Sequence, residues 1–130
     1  MSWNLLSDVN SQALVVALRG TAARHTAVAN NVANVDTPGF IRADVRFEEA
    51  LAAALDLARR APNHDCRGLQ TLSLRPTKDI SAPARADGNN VDIDREMVVL
   101  ARNALSYQAA IETLSARIRM LRSAIKQGRS

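Results

Sequence analysis

Between Ile93 and Ile125 apolar residues return at alternating steps of four and three: Ile93, Met97, Leu100, Ala104, Tyr107, Ile111, Leu114, Ile118, Leu121 and Ile125. This is the heptad rhythm of a helix that lays one narrow seam against another helix. It predicts a helix over 92–127, about 54 Å long at a rise of about 1.5 Å per residue. A weaker form of the rhythm runs through Leu14, Leu18, Thr21, His25, Val28, Val32 and Val35 and predicts a first helix over 9–35. That helix should stop near Asp36, because Pro38 disfavours helical backbone at Thr37.

The faces away from the seams are also unusual. From Ala13 to Val35 only Arg19 and Arg24 carry fixed charge, and from Met97 to Ala116 only Arg102 and Glu112 do. A helix facing water normally shows a charged outer face, and a two-stranded coiled coil places Glu and Lys beside its seam. Both long helices are therefore expected to have several neighbours. A single seam leaves a helix of this length marginal against the entropy of ordering it. The terminal helices should therefore gain much of their order on assembly.

Pro38-Gly39 suits the centre of a type II turn, with Gly39 supplying the positive φ. Just before it stand Asn30, Asn31 and Asn34, poor helix formers whose amides should bond the departing backbone or a neighbour. A short second helix is predicted over 47–60, with Glu48 and Glu49 in its first turn and Arg59 and Arg60 in its last. Residues 61–90 hold Pro62, Pro76, Pro83, Gly68 and Gly88 and read as a mobile linker, with Leu69–Leu74 as a short strand. Asp87-Gly-Asn-Asn90 is a turn into the long helix, with Asn90 or Asp92 as its N-cap. The chain thus divides into residues 1–40, a middle segment 41–90 and a heptad helix in 91–130.

Composition narrows the chemistry. Trp3, Phe40, Phe47 and Tyr107 are the whole aromatic set, which argues against a deep small-molecule pocket. The net charge is +4. Its excess lies in Arg117, Arg119, Arg122, Lys126 and Arg129, after Asp92, Asp94 and Glu96 at the start of the same helix, as the helix macrodipole favours. No aromatics interleave with these arginines as base-stacking platforms, so nucleic acid is not the expected partner. Cys66 is the one cysteine and cannot form an internal disulfide. The N-terminus lacks the basic region and cleavage site of a secretory signal, and its apolar run is too short to span a bilayer. His25 on the seam and His64 in a polar stretch pair with no nucleophile, so no catalytic residue is expected. The acidic group at 87–96 fails the calcium-loop pattern at Val91 and Ile93 and is better explained by helix capping. No cofactor or metal is expected.

Two stretches do match a known pattern. Ala29-Asn-Asn-Val-Ala-Asn-Val-Asp-Thr-Pro-Gly-Phe40, followed by Asp44-Val-Arg-Phe-Glu-Glu-Ala-Leu51, resembles the N-terminal signature of the bacterial flagellar rod and hook proteins. Asp87-Gly-Asn-Asn-Val-Asp-Ile-Asp-Arg-Glu-Met97, leading into Tyr107-Gln-Ala-Ala110, resembles the C-terminal half of the short proximal-rod members rather than FlgC or the larger distal proteins. The likeness covers roughly residues 8–60 and 85–127. Phe40, where Tyr is common, and His25 on the seam are minor departures.

The resemblance implies an all-α fold whose terminal helices join as an antiparallel coiled-coil hairpin, with a short middle helix and a partly β central segment. It implies that Leu14, Leu18, Val28 and Val32 pack against Leu100, Ile111, Leu114 and Ile118. It further implies that Asn30, Asn31 and Asn34 satisfy polar groups where the helix end meets adjacent subunits. Thr37-Pro38-Gly39-Phe40 would turn the chain out of the wall of a tube. The implied partners are further copies of the chain, FliE, FlgC and other rod proteins, the MS ring and the export gate, reached by export without a cleaved signal. The runner-up is a cytosolic helical-hairpin adaptor or nucleic-acid-binding protein using the basic C-terminal helix end. A binding assay across salt concentrations separates the two.

Overall fold

The computed structural model describes residues 7–128, so Trp3, the remainder of 1–6, and Arg129 lie outside the described residues. Two long helices dominate, α1 over Val9–Ala33 and α4 over Ile93–Gln127. Between them come β1 (Ala43–Asp44), α2 (Glu48–Arg60), α3 (Arg67–Gln70) and β2 (Thr77–Lys78). The all-α hairpin expected from the sequence is present, with a small β element in the middle.

The helix limits follow local chemistry. Asp8 caps α1, its carboxylate accepting from the Ser11 amide at 3.3 Å. Asp92 caps α4 by accepting from the amides of Asp94 and Arg95. α1 ends at Ala33, slightly before the expected Asp36, where i→i−4 bonds give way to tighter turn bonds from the Val35 amide to the Val32 carbonyl and from the Thr37 amide to the Asn34 carbonyl. The Phe40 amide then donates to the Thr37 carbonyl at 3.2 Å, and Gly39 has φ +71°, which completes the turn that Pro38-Gly39 predicts.

α1 is the centre of the molecule. It touches α4 on one side and β1, α2 and α3 on the other, while α4 contacts α1 alone among the described elements. On the α2 side, Val9 and Val16 pack with Ala58 and Leu69, and Ala27 packs with Val45 and Phe47. Gly20 makes the Phe47 contact possible, since a Cβ there would stand 2.7 Å from the Phe47 ring. Arg24, one of the two charges on α1, reaches Asp44 and Glu48 and lies 5.0 Å from the Phe47 ring centroid. The scarcity of charge on α1 thus has a local cause, because much of its circumference is covered by its own chain.

Residues 61–90 are largely irregular, as expected, but the strand is not where the sequence places it. Leu69–Leu74 is not a strand: Leu69 belongs to α3 and is buried, and Leu72 and Leu74 pack on the α1–α2 core. The strand lies further on. Thr77 and Lys78 pair antiparallel with Asp44 and Ala43. The spaced leucines serve as anchors for an irregular segment, which β-propensity alone did not separate from a strand.

Candidate functional site

The two signature stretches identified in the sequence meet in space. Residues 31–45 and 79–96 interlock at the closed end of the hairpin around a set of buried polar side chains: Asn31, Arg42, Asp79, Asn89, Asn90 and Glu96. The Arg42 guanidinium donates to Glu96 Oε1 at 2.6 Å and to Asp79 Oδ2 at 2.5 Å. Asn31 Nδ2 donates to the other Glu96 oxygen at 3.0 Å and to the Ala43 carbonyl at 2.8 Å, and Asn31 Oδ1 accepts from the Ala43 amide at 2.9 Å. Asn90 Oδ1 accepts from the Arg42 amide, while its Nδ2 donates to the Asp79 carbonyl.

Asn89 closes the other half of the lock. Its Nδ2 faces the carbonyls of Asn34, Val35 and Thr37 at 2.9, 3.1 and 2.8 Å, satisfying acceptors that the end of α1 leaves open. The Gly39 amide donates to the Asp87 carbonyl at 2.9 Å. A Cβ on Gly88, where φ is +83°, would come within 3.4 Å of Gly39 Cα. Glycine is favoured at both positions by their positive φ, +71° at Gly39 and +83° at Gly88.

Buried charge is tolerable only when paired and hydrogen-bonded, and here it is. The Ser81 hydroxyl leads in lowering the Asp79 carboxyl to about 2, with the Ser81 amide and Arg42 adding to it against the opposing effect of burial. Within the segment weighed above for calcium, Asp92 caps a helix, Glu96 holds Arg42, and the amide of Asn89 caps α1.

The hairpin register can be read from three polar rungs. Asn31 meets Glu96, Asn103 Nδ2 donates to the Thr21 carbonyl at 2.7 Å, and Asp8 pairs with Arg117 at 2.5 Å. On α4 these rungs, with buried Ala110 between them, fall at 96, 103, 110 and 117, seven residues apart. They occupy the position just before Met97, Ala104, Ile111 and Ile118. The helix is consequently rolled away from a purely apolar contact, because Glu96 must reach Arg42 and Asn103 must reach α1.

The predicted residues divide accordingly. Val28 is buried, and Leu14, Leu18, Val32, Leu100, Leu114, Ile118 and Leu121 are half-buried. Tyr107 and Ile111 stay 42% and 38% exposed, and Met97 and Ile93 are also exposed. Asn30 is exposed, Asn34 bonds back to Asn30, and Asn31 is fully engaged within the chain. Thr37, Pro38 and Gly39 stand on the surface. Sequence reasoning missed Arg42, Asp79 and Glu96. Glu96 gives no signal of its own, because it follows Asp94 and Arg95 in a helix start where charges are ordinary. No helix is long and apolar enough to cross a membrane among the described residues.

Comparison with known proteins addresses the same segments. The family model described as "Flagella basal body rod protein" matches residues 12–40, which span most of α1 and its exit turn. The flagellar basal body rod protein FlgB of Aeromonas hydrophila is 32% identical over 115 residues, covering 85% of this chain and 87% of that protein. FlgB of Bacillus subtilis is 30% identical over 91% of this chain and 94% of its own length. FlgB of Borrelia hermsii is 38% identical over 97 residues, 65% of this chain and 71% of its own. With its signatures locked together in one hairpin and its length shared with these relatives, the chain belongs to the FlgB family of flagellar basal body rod proteins.

Proposed function

We propose that this chain, a structural component of the flagellar basal body rod, builds the proximal part of that rod by polymerising through its terminal helices. In that role it transmits torque and lines the export channel. Its partners are further copies of itself, FliE, FlgC and other rod proteins, with the MS ring and export gate at the base. It reaches them by export without a cleaved signal. The assembly residues are the seam and turn positions named above, from Leu14 and Leu18 through Thr37, Pro38 and Gly39 to Leu114, Ile118 and Leu121.

The observation that carries this reading is the unfinished state of α4. Met97, Val98, Leu105, Tyr107, Ile111, Met120 and Ile125 are all more than a third exposed on a helix whose middle bears few charges. Apolar surface of that extent marks an interaction face. The family to which the chain belongs is structural rather than enzymatic.

The test is replacement of the gene by a tagged copy, followed by purification of basal bodies and measurement of swimming. The chain should co-purify with the rod. Leu114→Pro, which breaks α4 at a cost of about 3 kcal/mol or more, should abolish both incorporation and motility. Normal swimming of cells carrying Leu114→Pro would contradict the role given to the helix.

A further inference from the structure

α4 presents three distinct faces. Glu96, Asn103 and Ala110 are buried against α1. One residue further on, about 100° round the helix, Ala104 and Ile111 line an open groove between α4 and α1 with a volume of about 670 Å³. Two residues further on, about 200° round, Val98 and Leu105 point away from α1 and are 52% and 71% exposed.

The groove has a specific character. Its α1 wall is made by Thr21, Ala22, His25 and Thr26, and no Asp, Glu, Lys or Arg lines it. Asn103 also lines it and is only 4% exposed. Its Nδ2 is taken by the Thr21 carbonyl, but its Oδ1 is without a hydrogen-bond partner. A buried carbonyl oxygen left open is costly unless a donor arrives from outside. Short side chains at Ala22 and Thr26, beside the exposed His25, and the absence of Asp, Glu, Lys and Arg admit an apolar helix surface, and the unpaired oxygen calls for a donor beside that surface.

The same chain carries such a surface. Val98 and Leu105 stand seven residues apart on one face of α4, and exposed Arg102 lies between them in sequence. We propose that the Val98–Leu105 ridge of one copy seats in the α1–α4 groove of a second copy, with Arg102 donating to the open Asn103 oxygen. This rests on the rod reading and specifies the subunit contact within it. Groove and ridge lie on different faces, so the contact is heterologous. It leaves a groove free at one end of a growing assembly and a ridge free at the other, which suits an open helical array rather than a closed dimer.

The experiment uses the full chain as the sole copy in cells, with Cys66→Ser to remove the native thiol. Leu105→Cys and Thr26→Cys are combined, basal bodies are purified, and a mild oxidant is applied. A ladder of dimers and larger species on a denaturing gel, absent from either single variant, is the expected result. The double variant present in basal bodies without any ladder would overturn the contact and leave the rod reading standing. Absence of even the wild-type chain from basal bodies would remove both. A second pair protects against an assembly-blocking thiol. Leu105→Asp should lose incorporation while keeping the wild-type circular dichroism spectrum, and Leu57→Asp, at an equally exposed leucine of α2, should incorporate normally. Equal incorporation of the two would overturn the proposal.

Discussion

The closed end of the hairpin and the long free stretch of α4 are built on opposite principles. At the closed end, Arg42, Glu96 and Asp79 are buried at 2%, 0% and 4% side-chain exposure and fully occupied with one another and with asparagines. Along α4 beyond Leu100, leucine, isoleucine, methionine and tyrosine stand in the open. Charge is hidden where apolar residues would be expected, and apolar residues are displayed where charge would be. The difference teaches a division of labour. A buried polar network contributes little net stability but accepts only one geometry, so it sets which residues of the hairpin face each other. Exposed apolar surface is undemanding about geometry but adhesive, so it is available to partners once the register has been set.

The strongest way to break this contrast is Glu96→Ala. It leaves the buried Arg42 with half its counter-charge and Asn31 without one of its two acceptors, and breaking a buried pair costs about 3–5 kcal/mol. Urea unfolding should show that loss, whereas Leu105→Ala on the exposed ridge should stay within about 0.5 kcal/mol of wild type. Equal destabilisation by the two would erase the distinction.

Asn89→Ala should have a smaller effect. It withdraws the amide that faces three carbonyls at the end of α1, at a cost of about 1–3 kcal/mol for buried groups left unsatisfied. The change should appear in the same unfolding curves with an unaltered slope.

Acid gives the gentlest probe. The Asp79 carboxyl is lowered from 3.8 to about 2 in the fold, and Glu48 is lowered by its hydrogen bonds from Arg24. A depressed carboxyl contributes stability that is fully present above its unfolded pKa and is lost as pH falls through its folded one. Thermal melts should therefore fall between about pH 4 and pH 2, and Asp79→Asn should flatten that part of the profile. A melting temperature independent of pH over this interval would contradict the pairing.

What the residues announced, and what they did not, divides along the same line. The long helices, the Pro38-Gly39 turn and the Asp92 cap were legible because each depends on neighbours in sequence: heptad spacing, a proline, a short acceptor side chain. The lock was not, because it joins residues 31, 42, 79 and 96, whose pairing is decided only when the chain doubles back. The need of Asn31 for a partner is legible, and the departing backbone at Ala43 is one of the two partners the sequence allows, but its second contact, with Glu96, is not. The apolar ladder of α4 was visible, but its rotation was not. Nothing in the spacing of Met97, Ala104 and Ile111 discloses that Glu96 and Asn103 must turn inward. The strand of the middle segment is misplaced for a related reason: its prolines and glycines signal irregular backbone, but they do not tell which residues of it pair and which are held by Leu69, Asp79 and Asn90.

Amide hydrogen exchange on the full chain, free in solution and in purified basal bodies, tests the central division most directly. In the free chain the account predicts the slowest exchange in the parts of α1 and α4 around Val28, Asn31, Glu96 and Asn103, with faster exchange through the part of α4 after Leu105. In basal bodies that later part should become protected as well. Uniform protection along the whole of α4 in the free chain, unchanged in basal bodies, would contradict it.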